Sequence, residues 1–310
     1  MTARRTTGRH ATTGAAVIAI ARALAAVLLV GALLGLAPGC RREDASPARG
    51  SAAPASAAPG PASQRLISLT PSATEVVAAL GATALLVGVD DYSAFPPEVA
   101  GLPKVGSFLA PNLETIVGLK PTLVIVDDVH GQAAGALHDA GIATVECAIH
   151  ALPDVKAALR AVGARLGKAA EAGRLIEAID GALDRAAASR PARRPRVLAV
   201  IDREAGGLGN LVSAGPGSWI DELLAVVGGD NVLSAAGVRY PKISAEEVLR
   251  TRPEVILDLS YAARQSVGPW QQLAVPAVTS GRVRALSDAY LIAPSPRVAE
   301  ALAALARAIQ

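Results

Sequence analysis

Glu114 and Glu246 stand at matching places in two similar stretches, ETIVGLKPTLVIV at 114–126 and EEVLRTRPEVILD at 246–258. In each, a proline follows the glutamate by seven positions and opens an apolar strand, while an aromatic, Phe108 or Tyr240, precedes it by six. The chemistry these residues offer is recognition rather than bond making. A carboxylate in the first turn of a helix is favoured by the helix dipole, and it either serves only that helix or pairs with a cationic partner. An aromatic ring gives a flat apolar contact with little side-chain entropy to lose. Upstream, EVVAALG at 75–81 mirrors ELLAVVG at 222–228, so the duplication covers a whole α/β unit. Two copies predict two similar lobes, a ligand held between them and a partner that touches both.

The elements that must position these residues alternate between short β-rich runs and amphipathic helical stretches, the pattern of βα units around parallel sheets. Strands are expected at 66–69, 85–89, 122–127 and 143–148, with helices near 73–80, 112–119 and 131–140. A second set has strands at 196–202, 254–259 and 282–286 and helices near 218–227, 244–251 and 295–309. Between the sets, Leu175, Ile176, Ile179, Ala182, Leu183 and Ala186 recur at helical spacing with charged residues on the other face. One helix from about Lys168 to Ser189 follows, stopped by Pro191 and Pro195. The expected fold is α/β, with two Rossmann-like lobes of mostly parallel sheet joined by one long backbone helix. The lobes are expected at 64–167 and 191–310, with the helix at 168–190. A single stiff link favours small rocking motions over wide hinge opening.

The first forty residues carry Arg4, Arg5, Arg9 and Arg22, no acid, and an apolar run from Ala23 to Ala37. This reads as an export signal over 1–39, the apolar run being too short to span a membrane comfortably; an uncleaved anchor helix is the other reading. The signal ends LAPGC, which resembles a bacterial lipoprotein cleavage site with Cys40 as the lipidated first residue, although Ala37 stands where leucine is preferred and the leucine, Leu36, lies one place earlier. The other cysteine, Cys147, sits in ATVECAI and reads as core, which makes a disulfide with Cys40 the weaker alternative. From Ala45 to Ser63 every residue except Arg49 is Ala, Ser, Pro or Gly, a composition that cannot bury enough apolar surface to fold. Residues 40–63 read as a disordered tether spanning roughly 25–30 Å. Without the signal, 26 basic residues face 27 acidic ones. No basic stripe remains to suggest nucleic acid.

An enzyme finds little support. The glycine-rich GGLGNLVSAGPGS at 206–218 precedes a helix and could cradle phosphate, but no dinucleotide fingerprint, G-x-S-x-G elbow or catalytic triad accompanies it. The histidines beyond the signal are His130, His138 and His150, with no cluster at metal-ligand spacing along the chain. Asp127, Asp128 and His130 follow the end of a strand, where open α/β sheets place ligands. The acids could bond amide groups, and His130 could approach a metal or stand solvated in its loop.

Taken together, RLISLTPSATEVVAALGA, FPPEV, VGSFLAPNLETIVGLKPTLVIV, YPKISAEEVL and RPEVI resemble the periplasmic binding proteins of vitamin B12 and ferric-siderophore import systems, above all their cobalamin-binding members. The resemblance runs from about Arg65 to Gln310. It implies a ligand in the cleft between lobes, no catalysis, no cofactor and a monomer that works with an ABC permease and its ATPase. It also implies that Glu114 and Glu246 pair with arginines on the permease. Phe95, Phe108 and Tyr240 fall where the cobalamin binders pack aromatics on the corrin ring, and Asp127 falls where they carry a tryptophan. Trp219 begins a helix at the end facing the cleft in such folds, leaving ligand contact and core packing both open. Tyr290 and Arg297, in AYLIAPSPRVAEAL, match the closing segment and could line the second-lobe wall; Arg297 could instead cap the last helix. The replaced tryptophans widen the ligand choice to a siderophore or haem, whose anionic groups Arg297 and Tyr290 could meet. A membrane-tethered corrinoid sensor would keep the cleft and lose the docking.

Overall fold

The computed structural model describes residues 64–310. The export signal, Cys40 and the tether lie outside the described residues.

The first half builds β1 (Leu66–Ser68), α1 (Pro71–Ala79), β2 (Leu86–Val89), a hairpin of β3 (Gly106–Ser107) and β4 (Ala110–Pro111), α2 (Leu113–Gly118), β5 (Leu123–Val126), α3 (Gly131–Asp139) and β6 (Ala143–Glu146). Strands β2-β1-β5-β6 form one parallel sheet in that order. β1 and β5 are buried at every position, as expected of strands covered on both faces. Local chemistry fixes the helix starts. Thr70 caps α1 by accepting from the Ala73 amide, with Pro71 in the first turn, and Asn112 caps α2 by accepting from the Thr115 amide.

Two helices then lead out of the first sheet, α4 (Leu152–Arg165) and α5 (Ala169–Ala188). α5 falls where the apolar spacing placed it. α4 arises in a stretch to which the sequence reading assigned no element, although Val155, Ala158, Leu159 and Val162 form a buried stripe at helical spacing. The two helices approach closely at Gly163, where a Cβ would lie 2.8 Å from that of Ala172.

The second half comprises β7 (Arg196–Asp202), β8 (Leu211–Ser213), α6 (Trp219–Val227), β9 (Asp230–Asn231), β10 (Lys242–Ile243), α7 (Ala245–Thr251), β11 (Val255–Asp258), α8 (Pro276–Thr279), β12 (Val283–Ala285), α9 (Ala289–Ile292) and α10 (Val298–Ile309). Its sheet runs β10-β8-β7-β11-β12, with β9 also pairing β7. β7, β11 and β12 are parallel, whereas β8 is antiparallel to both of its neighbours.

One apolar core is continuous between the halves. It joins Leu66, Val76 and Leu123 to Val197, Leu223 and Leu257 through Ile176 and Ile179 of α5 and Leu302 and Leu305 of α10. A hydrogen bond reinforces it, the Leu152 amide at the start of α4 donating to Glu222 of α6 at 2.6 Å. Continuous packing of this kind opposes wide opening of the halves. Among the described residues no helix is long and apolar enough to cross a membrane.

Candidate ligand site and docking surface

Parallel strands of both sheets end on residues with exposed polar or aromatic groups, which is where α/β sheets present ligand sites. After β2, Asp90 accepts from the Tyr92 amide at 2.9 Å and from the Ser93 hydroxyl, while Lys104 Nζ donates to the carbonyls of Asp90 and Ser93 at 3.1 and 2.7 Å. The loop so held leaves Tyr92 67% and Phe95 40% exposed. After β11, Tyr261 is 70% exposed, with the Arg264 guanidinium 5.7 Å from its ring centre. The sequence reading missed Tyr92 and Tyr261; their position just beyond strand ends was the available signal.

Arg297 joins the two halves. Its guanidinium lies 3.9 Å from the ring centre of Phe95 and 4.8 Å from that of Tyr290, and it forms a two-pronged ion pair with Glu75 of α1 at 2.8 and 2.5 Å. Glu75 is buried, so the charge of Arg297 is balanced within the protein. This corrects the expectation that Arg297 is free for an anionic ligand: its anion is Glu75, 222 residues away in sequence. Nor does its side chain cap α10, although the residue itself stands at the cap position. A cavity of about 750 Å³ opens beside this cluster, lined by Ala78, Leu86, Phe95, Leu175, Arg297 and Glu300 among others. Its size lies within the range of small-molecule sites.

Trp219 is a core residue. It is 1% exposed, and its indole Nε1–H donates to the Tyr290 carbonyl at 3.0 Å. The Ser218 cap turns the first residue of α6 inward, so Trp219 supports Tyr290 from behind and offers no surface to a ligand.

His130 likewise serves the framework. It is buried, its Nδ1 accepts from the Asp127 amide at 2.9 Å, and its Nε2–H donates to the Phe108 carbonyl at 2.6 Å. Both ring nitrogens are therefore occupied, which removes His130 as a metal or ligand contact. Its ring meets Phe108 edge-on at 5.5 Å. The same hairpin depends on Gly106, whose φ of 98° and closeness to the Ala110 carbonyl leave no room for a side chain.

The fold does assemble a group absent from the linear pattern. Asp127 and Asp128, beyond β5, and His150, beyond β6, bring ligand atoms within 4.8 Å of one another, a set that could hold a divalent ion. This corrects the expectation of no metal-ligating cluster. His150 Nε2 lies 3.2 Å from Asp128. Burial, reinforced by a hydrogen bond with Asp128, pushes the Asp127 carboxyl up to about 6, while the same bond holds Asp128 below its ordinary value. Because the folded-state value of Asp127 is raised, the native state binds more protons than the unfolded chain between about pH 4 and 6, and stability falls as pH rises through that window. Asp127→Asn keeps an acceptor for the Val129 amide and removes the charge. Thermal melts should show it about 1–2 kcal/mol more stable than the parent at pH 7.5 and equal to it near pH 4, the opposed shift of Asp128 reducing the full effect.

Cys147 is buried in the core, and burial first, then the nearby Asp127 and Glu146 carboxylates, push its thiol up to about 12. It is inert at neutral pH.

Glu114 and Glu246 lie in the first turns of α2 and α7, exposed and without an ion-pair partner among the described residues. The Ser244 hydroxyl holds Glu246 below its ordinary pKa. Tyr240, preceding α7, is 44% exposed. Of the expected ligand residues, Phe95, Tyr290 and Arg297 form one cluster and Phe108, Asp127 and His130 another. The hydrogen bonds and ring contacts at Tyr240 connect it to neither.

A model of the family described as periplasmic binding protein matches residues 66–288. The vitamin B12-binding protein of Vibrio cholerae is 28% identical over 255 residues, covering 79% of this chain and 88% of that protein. Among solved structures, the apo form of the periplasmic haem-binding protein RhuT from Roseiflexus sp. RS-1 is similar, with a TM-score of 0.70 and 29% identity over 80% of this chain and 100% of that one. The periplasmic vitamin B12-binding protein BtuF of Vibrio cholerae has a TM-score of 0.63 and 25% identity, covering 79% and 96%. The chain belongs to the periplasmic binding protein family, the non-catalytic substrate-binding components of ABC importers.

Proposed function

We propose that this protein captures a corrinoid, vitamin B12, at the ends of its parallel strands and delivers it to an ABC permease and ATPase. The observation that carries the proposal is the exposed aromatic set Tyr92, Phe95, Tyr240 and Tyr261 around strand ends. A large flat ligand with apolar faces and amide fringes matches rings of this kind, with Phe108 and the acceptors Asp127 and Asp128 beside them. Glu114 and Glu246 are the docking carboxylates. Cys40 carries the lipid that, with the tether of residues 40–63, holds a monomeric body near the membrane after removal of residues 1–39. A haem reading has one observation in its favour: the exposed phenols of Tyr92 and Tyr261 are of the type that ligates haem iron.

The proposal is tested by uptake of radiolabelled cobalamin into vesicles containing the permease and ATPase. Addition of this protein should raise uptake severalfold in an ATP-dependent way. Uptake of haem but not cobalamin would transfer the ligand assignment to haem.

A further inference from the structure

Helices α2 and α7 correspond position by position, residue 112 with 244 through 118 with 250. In both, the cap is an exposed side chain accepting from the amide three residues on, the glutamate is exposed, the fourth helical residue (Ile116 or Val248) is buried, and the next is exposed. Each segment then turns through a left-handed basic residue, Lys120 at φ 50° or Arg252 at φ 47°, into a buried proline. That next exposed residue is aliphatic both times. Val117 is 45% and Leu249 42% exposed, each three residues after its glutamate and so on the same helix face.

Single exposed aliphatic residues are ordinary on protein surfaces. Here the same one recurs beside the same carboxylate in both halves, while the intervening positions have diverged to Thr115 against Glu247 and Gly118 against Arg250. Glu247 and Arg250 pair with each other in the second half, which leaves Glu246, like Glu114, unpaired. We infer that Val117 and Leu249 are the apolar members of two equivalent docking points, each an aliphatic side chain one turn from a free carboxylate. The inference rests on the docking reading of Glu114 and Glu246. The matching partner is a permease with two equivalent halves, each presenting a cation next to an apolar socket. In such a contact the carboxylates steer association and the aliphatic groups, once desolvated, slow dissociation.

The test measures binding of the full chain to the permease–ATPase complex in nanodiscs at low and high salt, comparing Val117→Ser/Leu249→Ser with Glu114→Gln/Glu246→Gln. The aliphatic double variant should bind roughly tenfold or more weaker, through faster dissociation, with parental salt dependence and parental ligand affinity. The glutamine variant should associate more slowly and lose much of its salt dependence. Parental affinity of the serine variant together with weakened binding of the glutamine variant would overturn the inference and leave the docking reading standing. Parental behaviour of both would overturn both. Val117→Thr/Leu249→Gln gives an independent reading, expected to weaken binding in the same way, should serine lower helix stability.

Discussion

Replacing Glu114 and Glu246 together by lysine should abolish stimulation of the transporter's ATPase while leaving ligand affinity unchanged. Both carboxylates are exposed and unpaired among the described residues, so neither removal breaks an internal contact. A lysine in the first turn opposes the helix dipole by only about 0.3–1 kcal/mol, and the Asn112 and Ser244 caps remain. Stability should therefore change little. Each single reversal should leave partial activity, because the other half still docks. ATPase assays on reconstituted transporter, beside equilibrium ligand binding, separate the two effects. Parental stimulation by the double variant would remove these glutamates from the docking surface.

Asp258→Ala should cost about 3–5 kcal/mol, the loss expected when one partner of a buried ion pair is removed. Asp258 and Arg203 are each fully buried at the side chain and meet at 2.7 Å. Asp258 also accepts from Trp270 Nε1 at 2.8 Å and from the Ser260 hydroxyl at 2.6 Å, while Arg203 donates to the carbonyls of Gly207 and Ser266. The alanine variant strands a guanidinium in the core and frees both loops beyond β7 and β11. Asp258→Asn preserves an acceptor and should lose less. Urea unfolding of the two variants measures the difference, and a loss below about 1 kcal/mol for alanine would show the network to be inessential.

What could be read from sequence was local. Strand and helix positions followed from apolar spacing, and the two docking glutamates from a repeat written in adjacent residues. β9 and β10 contain two residues each and β8 three, too few for any periodicity to register. Pairings made by the fold were invisible: Glu75 with Arg297, Arg203 with Asp258, and His150 with Asp128 join residues 222, 55 and 22 positions apart. Those same pairings altered the candidate site. Glu75 claims the charge assigned to a ligand anion, and the ring nitrogens of His130 are taken by Asp127 and Phe108. Trp219, placed first in α6 by the Ser218 cap, faces the core. The rings left exposed, Phe95 and Tyr240 among the expected ones and Tyr92 and Tyr261 among the missed, are those the ligand reading now rests on.

Calorimetric titration of the protein with cobalamin, with haem and with a ferric siderophore tests the central claim most directly. The account predicts saturable one-to-one heat with cobalamin and none with the other two. Saturable binding of haem or siderophore, with no heat from cobalamin, would contradict it.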